Sequence, residues 1–250
     1  MSQARRNQVA TYFDKISASY TTRYGKQNPF HNYFFRQRLK AATEGFTIDG
    51  KSVLDIGAGT GALYDELMLN FSNVNYFACD ISSQMLAQSA IPQERMFVGR
   101  AKEINFPIKR FDFIFSLGVT TYQSSMELAD DWRFIADRLT PNGMSAISFT
   151  NRASIDHTLR IAMKPVKPFI GNGVFGQHFP IFAYSSREVQ EMARTVGLRV
   201  FRTTFLNQTF LPFNKFLPHF SVGLAKIIER APTRVLPLLS SDFIVFVERS

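Results

Sequence analysis

The stretch Val53-Leu54-Asp55-Ile56-Gly57-Ala58-Gly59-Thr60-Gly61 constrains this chain more than any other part of it. A run of apolar residues leads into three alternating glycines, and Leu63, Leu67 and Met68 then continue at helical spacing with acids at Asp65 and Glu66. A buried strand therefore turns into an amphipathic helix between Thr60 and Phe71. Glycines permit the sharp turn and let a ligand lie against the backbone, while the helix start offers free amides. A nucleotide-type cofactor is expected there, touching Gly57, Ala58, Gly59 and Gly61.

From about residue 51 to 205, runs rich in β-branched and aromatic residues alternate with helical patterns, the signature of βαβ units and a parallel sheet. Strands are read at 52–56, 74–79, 95–98, 111–116, 144–149 and 199–205, with a last one at 243–247. Ser185 and Glu188 form a capping box before a stripe of Val189, Met192, Ala193 and Val196, and Gly197 ends that helix. A helix through Trp132, Ile135 and Leu139 hands over to the fifth strand at the turn Pro141-Asn142-Gly143. This gives a helical lead-in or cap at 1–46, followed by one domain at 47–250. Two insertions interrupt the domain, a proline- and glycine-rich one at 151–183 and a phenylalanine-rich one at 206–241.

The 250 residues suit one large core with a small appended lobe. The first twelve residues are polar and basic, unlike a secretory signal, and no apolar run approaches the roughly 20 residues of a membrane span. The single cysteine, Cys79, excludes an internal disulfide and a cysteine-rich zinc site; no metal is expected, and a cytoplasmic location fits. The net charge of +9 favours acidic partners such as nucleic acid, anionic lipid headgroups or phosphorylated substrates, and alone does not choose between them. The basic residues are scattered, with no run of five or six, so they read as an ordinary solvated surface, and nucleic acid is not the partner expected.

Gly57-x-Gly59-x-x-Ala62 also satisfies a loose dinucleotide fingerprint, so the glycines alone do not choose the cofactor. Asp55 does. A carboxylate two residues before the first glycine repels a pyrophosphate and suits an ammonium group. Asp80, at the end of the second strand, can accept hydrogen bonds from ribose hydroxyls at a spacing that fits a βαβ unit. S-adenosylmethionine combines an ammonium, a ribose and no phosphate.

Asp55 to Gly61 is similar to the first motif of the class I S-adenosylmethionine-dependent methyltransferases. Asp80-Ile81-Ser82 resembles their ribose-binding segment, and Phe111 to Val119, including Ser116, resembles the fourth-strand segment that lines the methyl-donor site. Leu139-Thr140-Pro141-Asn142-Gly143 resembles their leucine-lysine-proline-glycine-glycine turn with two substitutions. The resemblance covers roughly residues 50–150 and is weaker up to 205. It implies an α/β, Rossmann-like fold: a seven-stranded, mostly parallel sheet with an antiparallel last strand and helices on both faces. The family usually has an acid where Arg100 stands, so the resemblance leaves the adenine to the backbone near Ala101 or to Glu103. Tyr20 and Tyr24 lie in a lead-in like the one that folds over the cofactor in many relatives, with core packing an equal reading for both.

Ser116-Leu117-Gly118-Val119 lacks the Asn/Asp-Pro-Pro-Tyr-like sequence of enzymes that methylate nucleobase or glutamine nitrogens, and Cys79 is not in a Pro-Cys motif. A small-molecule or lipid-like acceptor remains, methylated on oxygen or nitrogen, as in the ubiquinone and menaquinone biosynthesis type that the chain broadly resembles. Methyl transfer needs a base only if the acceptor keeps its proton, and His178, at the end of the glycine-rich stretch, is the first candidate. Tyr122, just after the fourth strand, is placed where a side chain can face the acceptor, with core packing an equal reading. The aromatic insertion, with Lys215, Lys226, Arg230 and Arg234, suits a lid or peripheral contact with an anionic membrane, with a lobe packed on the sheet an equal reading. Two further readings stand beside this one: an RNA or protein methyltransferase, prompted by the charge, and a non-catalytic cofactor-binding subunit, prompted by Arg100.

Overall fold

The computed structural model describes residues 3–23, 28–162, 181–209 and 213–250. The strands are β1 (Ser52–Ile56), β2 (Asn75–Asp80), β3 (Met96–Val98), β4 (Phe111–Ser116), β5 (Leu139–Thr150), β6 (Leu198–Leu206) and β7 (Asp242–Arg249). They form one seven-stranded sheet in the order β3-β2-β1-β4-β5-β7-β6. The first five strands pair in parallel, and β7 runs antiparallel between β5 and β6. The chain thus has the expected Rossmann-like architecture. Strand order reverses beside β1, and in such sheets the crevice over the carboxyl ends of the strands at the reversal is where ligands settle.

Strand alternation supplies two apolar faces. Leu54, Phe77, Phe149, Phe243 and Val245 pack on one side beneath Trp132 and Ile135 of α5 (Ser125–Arg138) and Val189 and Ala193 of α7 (Ser186–Thr195). Val53, Phe113, Phe115, Ile244 and Phe246 pack on the other beneath Leu39 and Ala42 of α2 (Pro29–Thr43) and Leu63 and Leu67 of α3 (Ala62–Asn70). Both faces are covered, so β1 and β4 read as nearly continuous apolar runs. The one acid within β1 is Asp55, and it is buried.

Ser185 and Glu188 close their capping box at the start of α7, and Gly197 follows that helix with a left-handed φ of 74°. The fifth strand differs from expectation. Pairing jumps from Phe111↔Leu139 to Phe113↔Met144, so Thr140 to Gly143 bulge out opposite Asp112 within β5 and do not form a separate turn before it. The shape is imposed by close packing, because a Cβ on Gly143 would lie 3.0 Å from the Phe111 and Asp112 carbonyl oxygens.

The lead-in forms α1 (Gln3–Arg23) and α2. α1 crosses the carboxyl ends of the strands and is fastened by Asp14, whose Oδ1 accepts hydrogen bonds from Ser82 Oγ at 2.6 Å and the Gln84 amide at 3.1 Å at α4 (Ser83–Leu86). Beyond β5, α6 (Ile155–Ala162) follows, and beyond β6 comes α8 (Pro218–Ile228). No helix among the described residues is long and apolar enough to cross a membrane.

Candidate active site

A cavity of about 270 Å³ opens where β1, β2 and β4 end, closed from above by α1 and α2. Its size is close to the lower bound of roughly 300 Å³ for pockets that enclose a small ligand. The glycine loop forms its floor. Gly57, Gly59 and Gly61 all have positive φ. A Cβ on Gly57 would come within 2.2 Å of Val119 Cγ2, and one on Gly61 within 2.7 Å of Ser89 Cβ, so no larger residue fits these turns.

The loop's amides do not do what its glycines suggested. The Gly57 and Ala58 amides donate to the Cys79 carbonyl at 2.7 and 3.1 Å, the Gly61 amide donates to the Ala58 carbonyl at 3.0 Å, and the Gly59 amide donates to Asp80 Oδ2 at 2.9 Å. A pyrophosphate site needs such amides turned toward the ligand. Here four of them are engaged within the protein, and the adjoining wall carries two carboxylates.

Asp55 is 3% exposed and accepts a 2.6 Å hydrogen bond from the Tyr76 hydroxyl. Burial raises its pKa to about 7, against the lowering effect of the Tyr76 bond, and the neighbouring Asp80 charge raises it further. Asp80 receives the Gly59 amide on one oxygen and the Ser82 amide, at 2.8 Å, on the other. Burial also raises its pKa, although those amides stabilise its charge. A second lone pair on each oxygen is available to a ligand hydroxyl. This end of the cavity therefore suits a cationic, hydroxyl-bearing group.

Around the cavity the structure brings together Asp55, Gly57, Ala58, Gly59, Asp80, Ile81, Ala101, Tyr20 and Tyr122. Tyr20 and Tyr122 both stand edge-on to Phe13 of α1. Gly61 turns the chain just behind this lining, against Ser89. Ser116 does not join the group. It is buried beside Ile56, Leu128 and Trp132 at the end of β4, and Leu117 and Gly118, which follow the strand, line the cavity in its place. Tyr24 and His178 lie outside the described residues.

Charged residues around the cavity that were not anticipated as ligands from the sequence include Arg6, Arg100, Asp131, Arg38 and Asp242. Arg100 pairs with Asp131 of α5 at 2.9 Å, and Gln123 Nε2 donates to the other oxygen of the same carboxylate. The acid at this end of the cavity thus comes from α5, and the cation at position 100 is neutralised by it. Asp131 precedes the buried Trp132 in an amphipathic helix, which is a faint sequence signal that it faces inward. At the opposite end are Arg38 of α2 and Asp242 at the start of β7. Asn207 Nδ2 donates to Asp242 at 2.7 Å; burial raises its pKa, partly offset by the charge of Arg38.

Residues 53–143 match the family model described as a methyltransferase domain. No curated protein matches the sequence. Among solved structures, the chain is similar to magnesium protoporphyrin IX methyltransferase from Synechocystis PCC 6803. The form with bound S-adenosylhomocysteine shows 13% identity and a TM-score of 0.68 over 98% of this chain and 99% of that one. The form with bound S-adenosylmethionine shows 13% identity and a TM-score of 0.64 over 98% and 97%. An S-adenosylmethionine-dependent methyltransferase from Mesorhizobium loti shows 16% identity and a TM-score of 0.56 over 84% and 95%. At these identities the structural likeness speaks for the fold. Residues 53–143 thus carry a methyltransferase domain, set on that fold beside a cavity with two carboxylates and with four glycine-loop amides engaged within the protein, and the chain is a methyltransferase that uses S-adenosylmethionine.

Proposed function

We propose that the enzyme methylates a small-molecule or lipid-like acceptor on oxygen or nitrogen. The observation that carries this reading is the division of the cavity. Its β1/β2 side holds Asp55 and Asp80, and its β4/β5/β7 side holds Gly118, Thr120, Thr121, Tyr122, Thr150 and Asp242. In this assignment Asp55 receives the donor's ammonium, Asp80 its ribose hydroxyls, and Ala101 with the Arg100–Asp131 pair borders its adenine. S-adenosylmethionine, when bound, supplies a methyl group activated by a sulfonium. The protein's own task is alignment and exclusion of water, served by Val9, Phe13 and Tyr20 of α1 over the cavity. Tyr122 stands on the acceptor side in this reading.

A second feature extends the reading to a lipid surface. Phe220 and Ile227 lie on one side of α8 at 56% and 69% exposure, while Ser221 and Ala225 on the other side are buried. His219, Lys226 and Arg230 flank the exposed side. An exposed apolar stripe beside cations fits shallow insertion among anionic headgroups.

Calorimetric titration with S-adenosylhomocysteine tests the donor assignment. Binding by the wild type and loss of about tenfold or more in affinity in Asp55→Ala and Asp80→Ala are expected; unchanged affinity in both variants would sink it. Transfer of labelled methyl groups to a panel of hydroxylated and amino compounds then tests the acceptor class. Labelling of RNA or protein alone would reject it.

A further inference from the structure

Among the described residues, four carboxylates border the cavity. Asp55 stands on β1, Asp80 ends β2, and Asp131 is engaged on both oxygens by Arg100 and Gln123. Asp242 is the fourth, at the start of β7. In the sheet, β7 lies two strands beyond β4 and three beyond β1. At about 4.8 Å per strand, Asp242 is therefore about 10 Å from β4 and about 14 Å from β1 across the sheet. A donor whose ribose rests on Asp80 and whose ammonium rests on Asp55 has its amino-acid end at β1. Asp242 faces what lies beyond it.

Strand pairing gives Asp242 its neighbours. It stands opposite Thr150 in the antiparallel β5/β7 ladder. Residues paired in this way carry their side chains on one face, with Cβ atoms about 4.5–5.5 Å apart. Thr150 Oγ1 in turn shares a 2.7 Å hydrogen bond with Thr121 Oγ1, and all three residues line the cavity. The carboxylate is held from behind: Asn207 Nδ2 donates to Oδ2 at 2.7 Å, while no described residue donates to Oδ1. Asn207 has a φ of 58°, the one positive value outside glycine among the described residues. Its amide donates to Gln37 Oε1 at 2.9 Å, and its carbonyl accepts the Thr209 and Ser241 amides, each at 2.9 Å. Bonds of this kind keep a backbone in a sparsely populated conformation. They fix the direction of the Asn207 side chain, and through it that of Asp242.

Hydrogen-bonding capacity then defines the ligand. Ionised, Oδ1 can only accept. In the threonine pair one hydroxyl donates to the other, and the second hydroxyl's hydrogen has no acceptor among the described residues. An acceptor beside a donor matches a hydroxyl group, which offers both a hydrogen and lone pairs, whereas an ammonium offers hydrogens alone and an ether lone pairs alone. We infer that Asp242 and the Thr121–Thr150 pair form the specificity site for a hydroxylated acceptor: Asp242 Oδ1 accepts the hydrogen of an acceptor hydroxyl, and the threonine pair donates to its oxygen. The inference rests on the methyltransferase reading above and narrows its acceptor to a molecule that bears a hydroxyl group.

The experiment uses the full chain saturated with S-adenosylhomocysteine. Calorimetry compares two pairs of isomers, 4-propylphenol with 4-ethylanisole and octan-1-ol with heptyl methyl ether, so that apolar burial is matched and only the hydroxyl differs; octylammonium is the cationic probe. At least one hydroxyl compound is expected to bind about tenfold or more tightly than its ether. Asp242→Asn keeps an oxygen for the Asn207 amide and should erase that preference, with ether affinity within about twofold of the wild type. Thr150→Val keeps the side-chain shape and should reduce the preference about threefold or more; it decides alone if Asp242→Asn does not fold. The proposal is overturned if the wild type prefers neither hydroxyl compound, if the preference survives in the variants, or if the variants weaken hydroxyl compound and ether alike. It is also overturned if octylammonium binds about tenfold more tightly than octan-1-ol. Weaker binding of S-adenosylhomocysteine by Asp242→Asn, without weaker binding of 5′-methylthioadenosine, which lacks the amino-acid moiety, overturns it too, because Asp242 then serves the donor's ammonium. Failure of the wild type to bind S-adenosylhomocysteine at all would instead remove the donor assignment beneath it.

Discussion

Asp55, the residue proposed to receive the donor's ammonium, acts against the stability of its own fold. Its folded pKa of about 7 stands above the ordinary aspartate value of 3.8, so between those pH values the folded protein binds more protons than the unfolded chain. Its contribution to stability therefore falls as pH rises through that window, and the cost is fully present above pH 7. Asp55→Asn keeps an acceptor for the Tyr76 hydroxyl and removes the buried charge. We expect the ligand-free variant to be more stable at pH 8 by roughly 2–4 kcal/mol, measured by urea unfolding, with little difference at pH 4. A variant less stable at both pH values would contradict this account. Ligand binding has the opposite sign. An ammonium requires the ionised carboxylate, so wild-type affinity for S-adenosylhomocysteine should be about tenfold higher at pH 8 than at pH 6, and Asp55→Asn should be weak and flat across that range. The places of Asp55, Asp80 and the glycines around the cavity were legible because each is set by its immediate neighbours along the chain. Ser116 falls just short of the cavity because β4 ends with it, and the residues after the strand form the lining. Arg38, Asp131 and Asp242 carried no comparable local signal, since they lie on three elements far apart in sequence that meet only through the strand order.

Among the elements, α7 and β1 could be read directly because their signals are local: a capping box in one, an apolar run ending in glycine in the other. Ser185→Ala removes the hydroxyl that accepts the Glu188 amide at 3.3 Å. Its expected cost is about 1 kcal/mol in urea unfolding, with donor affinity unchanged. The role of α1 was harder to see. It covers a cavity as well as part of the core, so its inward face mixes Arg6, Val9, Phe13 and Tyr20 and has no clean apolar stripe. What holds it is polar: the Asp14 contacts to Ser82 and Gln84, the Arg6–Glu103 pair, and a hydrogen bond from Arg5 Nη2 to the Tyr122 carbonyl at 2.9 Å. Few buried contacts and several polar ties describe an element that can open without global unfolding. Asp14→Ala should therefore accelerate release of S-adenosylhomocysteine about tenfold in stopped-flow displacement, while shifting the global unfolding midpoint little. Equal release rates would show that α1 does not gate the cavity.

At the scale of the whole molecule, the sheet separates two electrostatic surroundings that net charge alone conceals. The chain carries +9 overall, yet the end of its cavity proposed for the donor is built from Asp55, Asp80 and the neutralised Arg100–Asp131 pair. The excess positive charge therefore lies elsewhere, and part of it borders the apolar side of α8 through Lys226 and Arg230, with Arg234 following the helix. Attraction to an anionic surface scales with those charges and is screened within about 10 Å at 0.1 M salt, whereas insertion of Phe220 and Ile227 is not screened. These two contributions can be told apart. Sedimentation with vesicles containing roughly a third phosphatidylserine should recover the protein in the pellet, and neutral phosphatidylcholine vesicles should leave it in solution. Raising the salt should weaken the first interaction gradually. The double substitution Phe220→Glu and Ile227→Glu should abolish it even at low salt, with donor binding intact because neither residue borders the cavity. Equal recovery in the supernatant with both vesicle types would mean that the α8 stripe does not meet lipid, and the acceptor would then reach the cavity from solution.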